Sequence, residues 1–227
     1  MLGRGVIAIC LPLLAGCAHD PLAAAAVYPG LVEVEAPEGE LTPVLFSAAD
    51  TPARQGFLYV AMYEAAVAGQ NAGLARAAAS LEEAKTRVGE VLYAIGPELA
   101  PAWPAKTTGI VQPWAGTGYG LRRAARRMIE EIRAALEDDV TSTALRMYGP
   151  RAIRCAENTL ERAGRAVALG QRALAAGLDA ELEPVLRELD EVATALNHGV
   201  PSPGDEGCGL QQAYLYLRQI GVDVAEG

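Results

Sequence analysis

Few side chains in this sequence are equipped for covalent or metal chemistry. There are four cysteines, Cys10, Cys17, Cys155 and Cys208, and two histidines, His19 and His198. The best candidate metal cluster is His198 with Asp205, Glu206 and Cys208, because hard and soft ligands fall within one loop. The ligand spacing of structural zinc sites is missing, as is the histidine pair at helical spacing. An EF-hand is excluded too, since the alternating oxygen ligands before a glycine are absent and Pro201 and Pro203 stiffen the loop. The segment therefore reads as a polar turn, with no metal and no cofactor. Nucleophilic catalysis needs a Ser or Cys beside a base, and serines and histidines are both scarce. The acids come as Glu82-Glu83, Glu130-Glu131 and Asp138-Asp139, the pattern of solvated helix faces. No glycine-rich phosphate loop follows a strand. These residues predict a protein that is not an enzyme.

The N-terminus gives the cysteines separate roles. Arg4 precedes a short apolar run, Val6 to Leu14, and then Leu14-Ala15-Gly16-Cys17. The run is too short to span a bilayer and reads as a signal segment. The tetrapeptide resembles the lipobox of bacterial lipoproteins, which implies removal of residues 1–16 and acylation of Cys17. Ala18 in place of Asp implies sorting to the periplasmic face of the outer membrane. Residues 17–46 then form a lipidated flexible tether, rich in proline and in Glu33, Glu35, Glu38 and Glu40, with no helical period. Residues 47–227 are left for one domain, large enough for a real core.

Charge narrows the partners. The chain carries 19 basic and 28 acidic residues, a net −9, and loss of Arg4 leaves 18 against 28, a net −10. An acidic body lacks the footprint that nucleic acid requires. The one basic cluster is Arg122, Arg123, Arg126 and Arg127, opening a helix where the dipole disfavours cations. Its placement points to an acidic partner or a lipid phosphate, while Arg126–Glu130 and Arg127–Glu131 have the spacing of intrahelical pairs. The aromatics Phe57, Tyr59 and Tyr63 cluster on one helix, and Trp103, Trp114 and Tyr119 fall in or beside a long loop near 97–118. That loop is either a cap on the body or a lid over an apolar groove.

Apolar residues at four- and three-residue steps predict the elements that position these groups. Asp50 or Thr51 before Pro52 starts a first helix and Gly69 stops it near residue 68. Asn71 caps a second that runs to Ile95, with Glu83 and Arg87 as an exposed pair. A third helix carries Leu121 to Ala135. Gly149-Pro150 opens a long fourth, with Ser142–Tyr148 either continuous with it or bent away. A fifth carries Val185 to Leu196, and a short sixth Leu210 to Ile220. The fold expected is all-α, an antiparallel bundle of about six helices, because unequal helices and the lack of a 34-residue repeat argue against a solenoid. If the fifth helix returns antiparallel to the fourth, the 199–209 turn comes back to Cys155. A Cys155–Cys208 disulfide is then expected, pinning the weakly held sixth helix with roughly 4 kcal/mol for a loop of about 50 residues. The alternative is two buried thiols.

Two turns, Gly116-Thr117-Gly118-Tyr119-Gly120-Leu121 and Gly207-Cys208-Gly209-Leu210-Gln211-Gln212-Ala213-Tyr214, resemble those of exported bacterial helical proteins. Lipobox, acidic tether and helical body together resemble the outer-membrane-side lipoprotein of bacterial lipid or sterol trafficking systems. The function this implies is a membrane-anchored periplasmic binding protein for an apolar ligand, a lipid or sterol in transfer between membranes. Phe57, Tyr59, Tyr63, Trp103, Trp114 and Tyr119 are the candidate ligand contacts. The alternative is a scaffolding lipoprotein that binds a periplasmic protein through a helix face; a metal or redox accessory protein is the third reading.

Overall fold

A computed structural model describes residues 41–100, 116–138, 141–176 and 182–225, the last five by backbone alone. The signal segment, Cys17, the tether to residue 40, Trp103 and Trp114 lie outside the described residues. Seven helices occur among those described: α1 Thr42–Leu45, α2 Phe57–Arg76, α3 Leu81–Ile95, α4 Leu121–Glu137, α5 Thr143–Ala175, α6 Leu182–His198 and α7 Leu210–Ala225. Short 3-10 turns lie at Pro52–Arg54 and Pro97–Leu99. The described residues contain no strand, and no helix among them is long and apolar enough to cross a membrane. The all-α bundle is as the periodicity predicts.

Helix α2 is the central element. It buries Phe57, Leu58, Val60, Ala61, Met62, Glu64, Ala65, Val67 and Ala68, leaving no polar stripe along its first three turns. A helix apolar on all sides must be surrounded, and α2 packs against α1, α3, α4, α6 and α7. Helix α5 packs against α3, α4, α6 and α7 and closes the other side. Helix α4 is amphipathic, burying Leu121, Ala124, Ala125, Met128, Ile129, Ile132 and Ala135 while its arginines stay at the surface.

Several boundaries differ from the sequence expectation, each for a local reason. Gly69 does not stop α2, and Asn71 caps nothing: Asn71 is fully buried within α2, its Nδ2 donating to Val67 O at 3.1 Å. A Cβ on Gly69 would lie 3.6 Å from Ala193 O, and one on Gly73 3.6 Å from Asp190 Oδ1. Both distances are ordinary van der Waals contact, so the two glycines lie on the face of α2 that meets α6, and packing carries the helix through them. The break comes instead at Ser80, whose Oγ accepts from Glu83 N at 3.1 Å while Glu83 Oε2 accepts from Ala79 N at 3.2 Å. This is a capping box displaced by one residue. It takes Glu83 away from Arg87, which pairs with Glu90 at 2.9 Å.

Nor does Gly149-Pro150 open a helix. Ser142 Oγ accepts from Leu145 N at 3.1 Å, and α5 runs from Thr143 straight through Pro150. Gly149 is where α4 leans on α5, since a Cβ there would stand 3.4 Å from Ile132 Cγ2 and Leu136 Cδ1. The tether also ends earlier than expected. Val44 is fully buried and Ala48 nearly so, with α1 packed on α2 and α4. Gly56 lies under α1, where a Cβ would come within 2.6 Å of Val44 O. Residues 41–48 thus belong to the body.

Candidate functional site

The strongest departure from an ordinary core is a carboxylate inside it. Glu64 sits two turns into α2 with no exposed surface. Its Oε1 accepts from Thr117 N at 2.9 Å, Thr117 Oγ1 at 2.5 Å and Gly120 N at 3.4 Å. Oε2 has no hydrogen-bond partner. No ion pair reaches the group among the described residues. Burial therefore pushes its pKa up from 4.5 to about 7, even though the bonds from Thr117 and Gly120 pull it down.

The glycines explain how a loop can close on that carboxylate. Gly116, Gly118 and Gly120 all have positive φ, at 79°, 78° and 85°. That region is costly for any residue with a Cβ. Space excludes side chains too: a Cβ on Gly116 would fall 2.3 Å from Glu64 Oε2, and one on Gly120 would fall 2.8 Å from Pro97 Cδ. The alternating glycines bring the Thr117 and Gly120 amides onto one oxygen. Gly120 is the residue before α4, so Glu64 also occupies the anion-favouring start of that helix. This contact offsets part of what the arginines in the same turns cost.

Around this loop the structure assembles most of the residues singled out by type. Tyr119 stacks on Phe57 with centroids 6.4 Å apart, and its hydroxyl donates to Asp50 Oδ2 at 2.9 Å. Arg123 lies 4.3 Å over the Tyr119 ring and 3.4 Å from Asp50 Oδ2. Arg127 lies 5.3 Å over Phe57 and pairs with Glu130 at 2.8 Å and Glu131 at 3.0 Å. The expected Arg126–Glu130 pair does not form, because Arg127 takes Glu130. Arg122 and Arg126 make no ion pair among the described residues. Burial raises the pKa of Tyr119, and so does its bond to Asp50; burial and the neighbouring Glu64 raise that of Tyr63.

These positions correct one expectation. Phe57 is 1% and Tyr119 6% exposed, so neither lines an open groove; they form the floor beneath Arg123 and Arg127. Tyr59 and Tyr63 are half-buried. Ala100 and Gly116, the residues flanking the tryptophan-bearing segment, both border this cluster through Pro97 and Glu64. Sequence reasoning missed Glu64, Thr117 and Asp50. The available signals were a single acid inside Val60-Ala-Met-Tyr-Glu-Ala-Ala-Val67 and three glycines at alternate positions before a helix.

The second glycine-rich turn is tied down differently. Cys155 and Cys208 are joined as a disulfide, with Cα atoms 5.0 Å apart. Asp205 takes Arg151 at 2.9 and 3.1 Å and the Tyr216 hydroxyl at 2.5 Å. Asn158 Nδ2 donates to the carbonyls of Asp205 and Glu206, and Arg162 to those of Gly207 and Cys208. Asp205 and Cys208 are thereby engaged elsewhere than in a metal site. Helix α7 is also held more firmly than expected, with Leu210, Ala213 and Leu217 fully buried. No protein-family profile matches the chain, and no curated protein or solved structure matches it significantly.

Proposed function

We propose that this chain is a lipid-anchored module of the periplasmic face of the outer membrane, which binds its target without transforming it. The target under this reading is an apolar ligand with an anionic head, a lipid in transfer between membranes. One observation carries it: Arg123 and Arg127 lie over the Tyr119 and Phe57 rings, Arg122 and Arg126 of the same helix make no ion pair among the described residues, and the flanks of the segment bearing Trp103 and Trp114 border the Glu64 loop. A basic helix start packed on aromatic rings suits an apolar chain with a phosphate head.

A scaffolding role, in which a helix face holds a periplasmic protein, is the second reading. It is favoured by the way α2 is covered by α1, α3, α4, α6 and α7, which commits its small residues to packing and not to a groove. Full-length protein purified from membranes separates the two. Extracted lipid should be enriched in one class by mass spectrometry, and phospholipid brominated on its chains should quench Trp103 and Trp114. Bulk membrane composition together with no quenching would overturn the lipid reading.

A further inference from the structure

The Cys155–Cys208 bond lies in a setting that a purely structural crosslink does not require. Cys155 is fully buried on α5, whereas Cys208 lines a surface cavity of about 260 Å³ together with His198, Ser202, Gly207, Gln212 and Tyr216. Cys208 keeps 8% of its surface exposed and Cys155 none, so the cavity marks the side from which the bond can be reached. Cys208 also sits where the chain turns into a helix. Cys208 stands two residues before α7, whose first turn is held by Gln212 N and Ala213 N donating to Gly209 O. The polar neighbours of Cys208 Sγ are Asp205 O at 2.9 Å and Asn158 Nδ2 at 3.6 Å, and the Arg162 guanidinium donates to Cys208 O at 2.7 Å.

The turn is also held by contacts that do not involve the bond. Arg151, Tyr216, Asn158 and Arg162 bind residues 205–208 without it, and Val200 N donates to Gly207 O at 2.8 Å. Opening the disulfide leaves these contacts in place, so the two sulfurs stay close enough to rejoin.

We propose that Cys155–Cys208 is an exchangeable disulfide, in which Cys208 takes the incoming thiol and Cys155 resolves. The co-reactant is a dithiol, either small or carried by another protein. Its thiolate attacks Cys208 Sγ, the Cys155–Cys208 bond breaks, and Cys155 leaves as a thiolate that takes up a proton. The second thiol of the reductant then attacks its own sulfur in the mixed disulfide and releases Cys208. The chain gains two electrons and two protons and the dithiol becomes a disulfide; the reverse sequence reduces a disulfide in a partner.

The test starts from full-length oxidised protein in detergent, treated with dithiothreitol, quenched by alkylation at intervals, and read from the masses of the Cys155 and Cys208 peptides. The folded chain should be reduced within about a hundredfold of the rate of the urea-unfolded chain, with its helical circular dichroism intact. Slower reduction, or reduction only as helicity is lost, overturns the proposal. Polarity is read with oxidised glutathione. Folded Cys155→Ser should acquire glutathione at Cys208, and folded Cys208→Ser should acquire none at Cys155; equal modification overturns the assignment of roles. If a serine variant fails to fold, limiting alkylation of the reduced wild type replaces it. Cys208 should then be modified first, and prior modification of Cys155 counts against the proposal.

Discussion

The two glycine-rich turns of this molecule do the same mechanical job by opposite means. Residues 116–120 are gripped by one buried carboxylate, Glu64, with three donors on a single oxygen and no counter-ion. Residues 205–208 are gripped by a guanidinium, a phenol, an amide, a second guanidinium and a disulfide, most of them part-exposed. A carboxylate in a low-dielectric site binds its donors strongly, and with Tyr119 held separately by Phe57 and Asp50 it alone fixes the Thr117 and Gly120 amides. A distributed set near solvent is weaker bond by bond, and it tolerates loss of any member. The first turn should therefore be fragile and sensitive to pH, and the second robust.

The comparison breaks most readily at Gly116. Its φ of 79° and the 2.3 Å approach to Glu64 Oε2 leave no room for a methyl group. Gly116→Ala should cost roughly 3–5 kcal/mol, seen as a large fall in the urea midpoint. A loss below about 1 kcal/mol would mean that the loop is not clamped as described.

Acid titration of Glu64 comes next in size. Its carboxyl titrates near 4.5 when free of the fold and near 7 within it. Between those values the folded chain keeps a proton that the unfolded chain has released, so the Glu64 contribution falls as pH rises from 4.5 to 7 and is flat beyond. The full swing is about 3 kcal/mol. Glu64→Gln keeps an acceptor for Thr117 and Gly120 and has no proton to lose. Denaturation curves across this range should show that the variant has lost the wild-type slope; the same slope in both would assign it to other groups.

The smallest effect belongs to the robust turn. Asp205→Ala removes the contacts to Arg151 and Tyr216 but leaves those of Asn158, Arg162 and the disulfide. Its cost should be about 1–2 kcal/mol, with the Cys155–Cys208 bond still formed on non-reducing peptide mapping. Loss of the bond, or unfolding, would show that the contacts are not redundant.

The helical class, the helices α4, α6 and α7, and the pairing of Cys155 with Cys208 were all legible in the sequence. They rest on apolar periodicity and on chain direction, both of which are local or follow from simple topology. The Ser80 capping box was legible as well, but a period running unbroken across residues 77–80 hides it. What only the tertiary structure decided concerns residues whose meaning comes from a neighbour far along the chain. Gly149 looks like a helix end until Ile132 and Leu136 of α4 are seen to pack against it. Phe57 and Tyr119 look like ligand contacts until their stacking buries both. Glu64 looks like one more surface acid, because its partners lie 53 and 56 residues away. Sequence spacing reports which residues share a face of one helix; which carboxylate is buried, and against which amides, is settled by how separate helices pack.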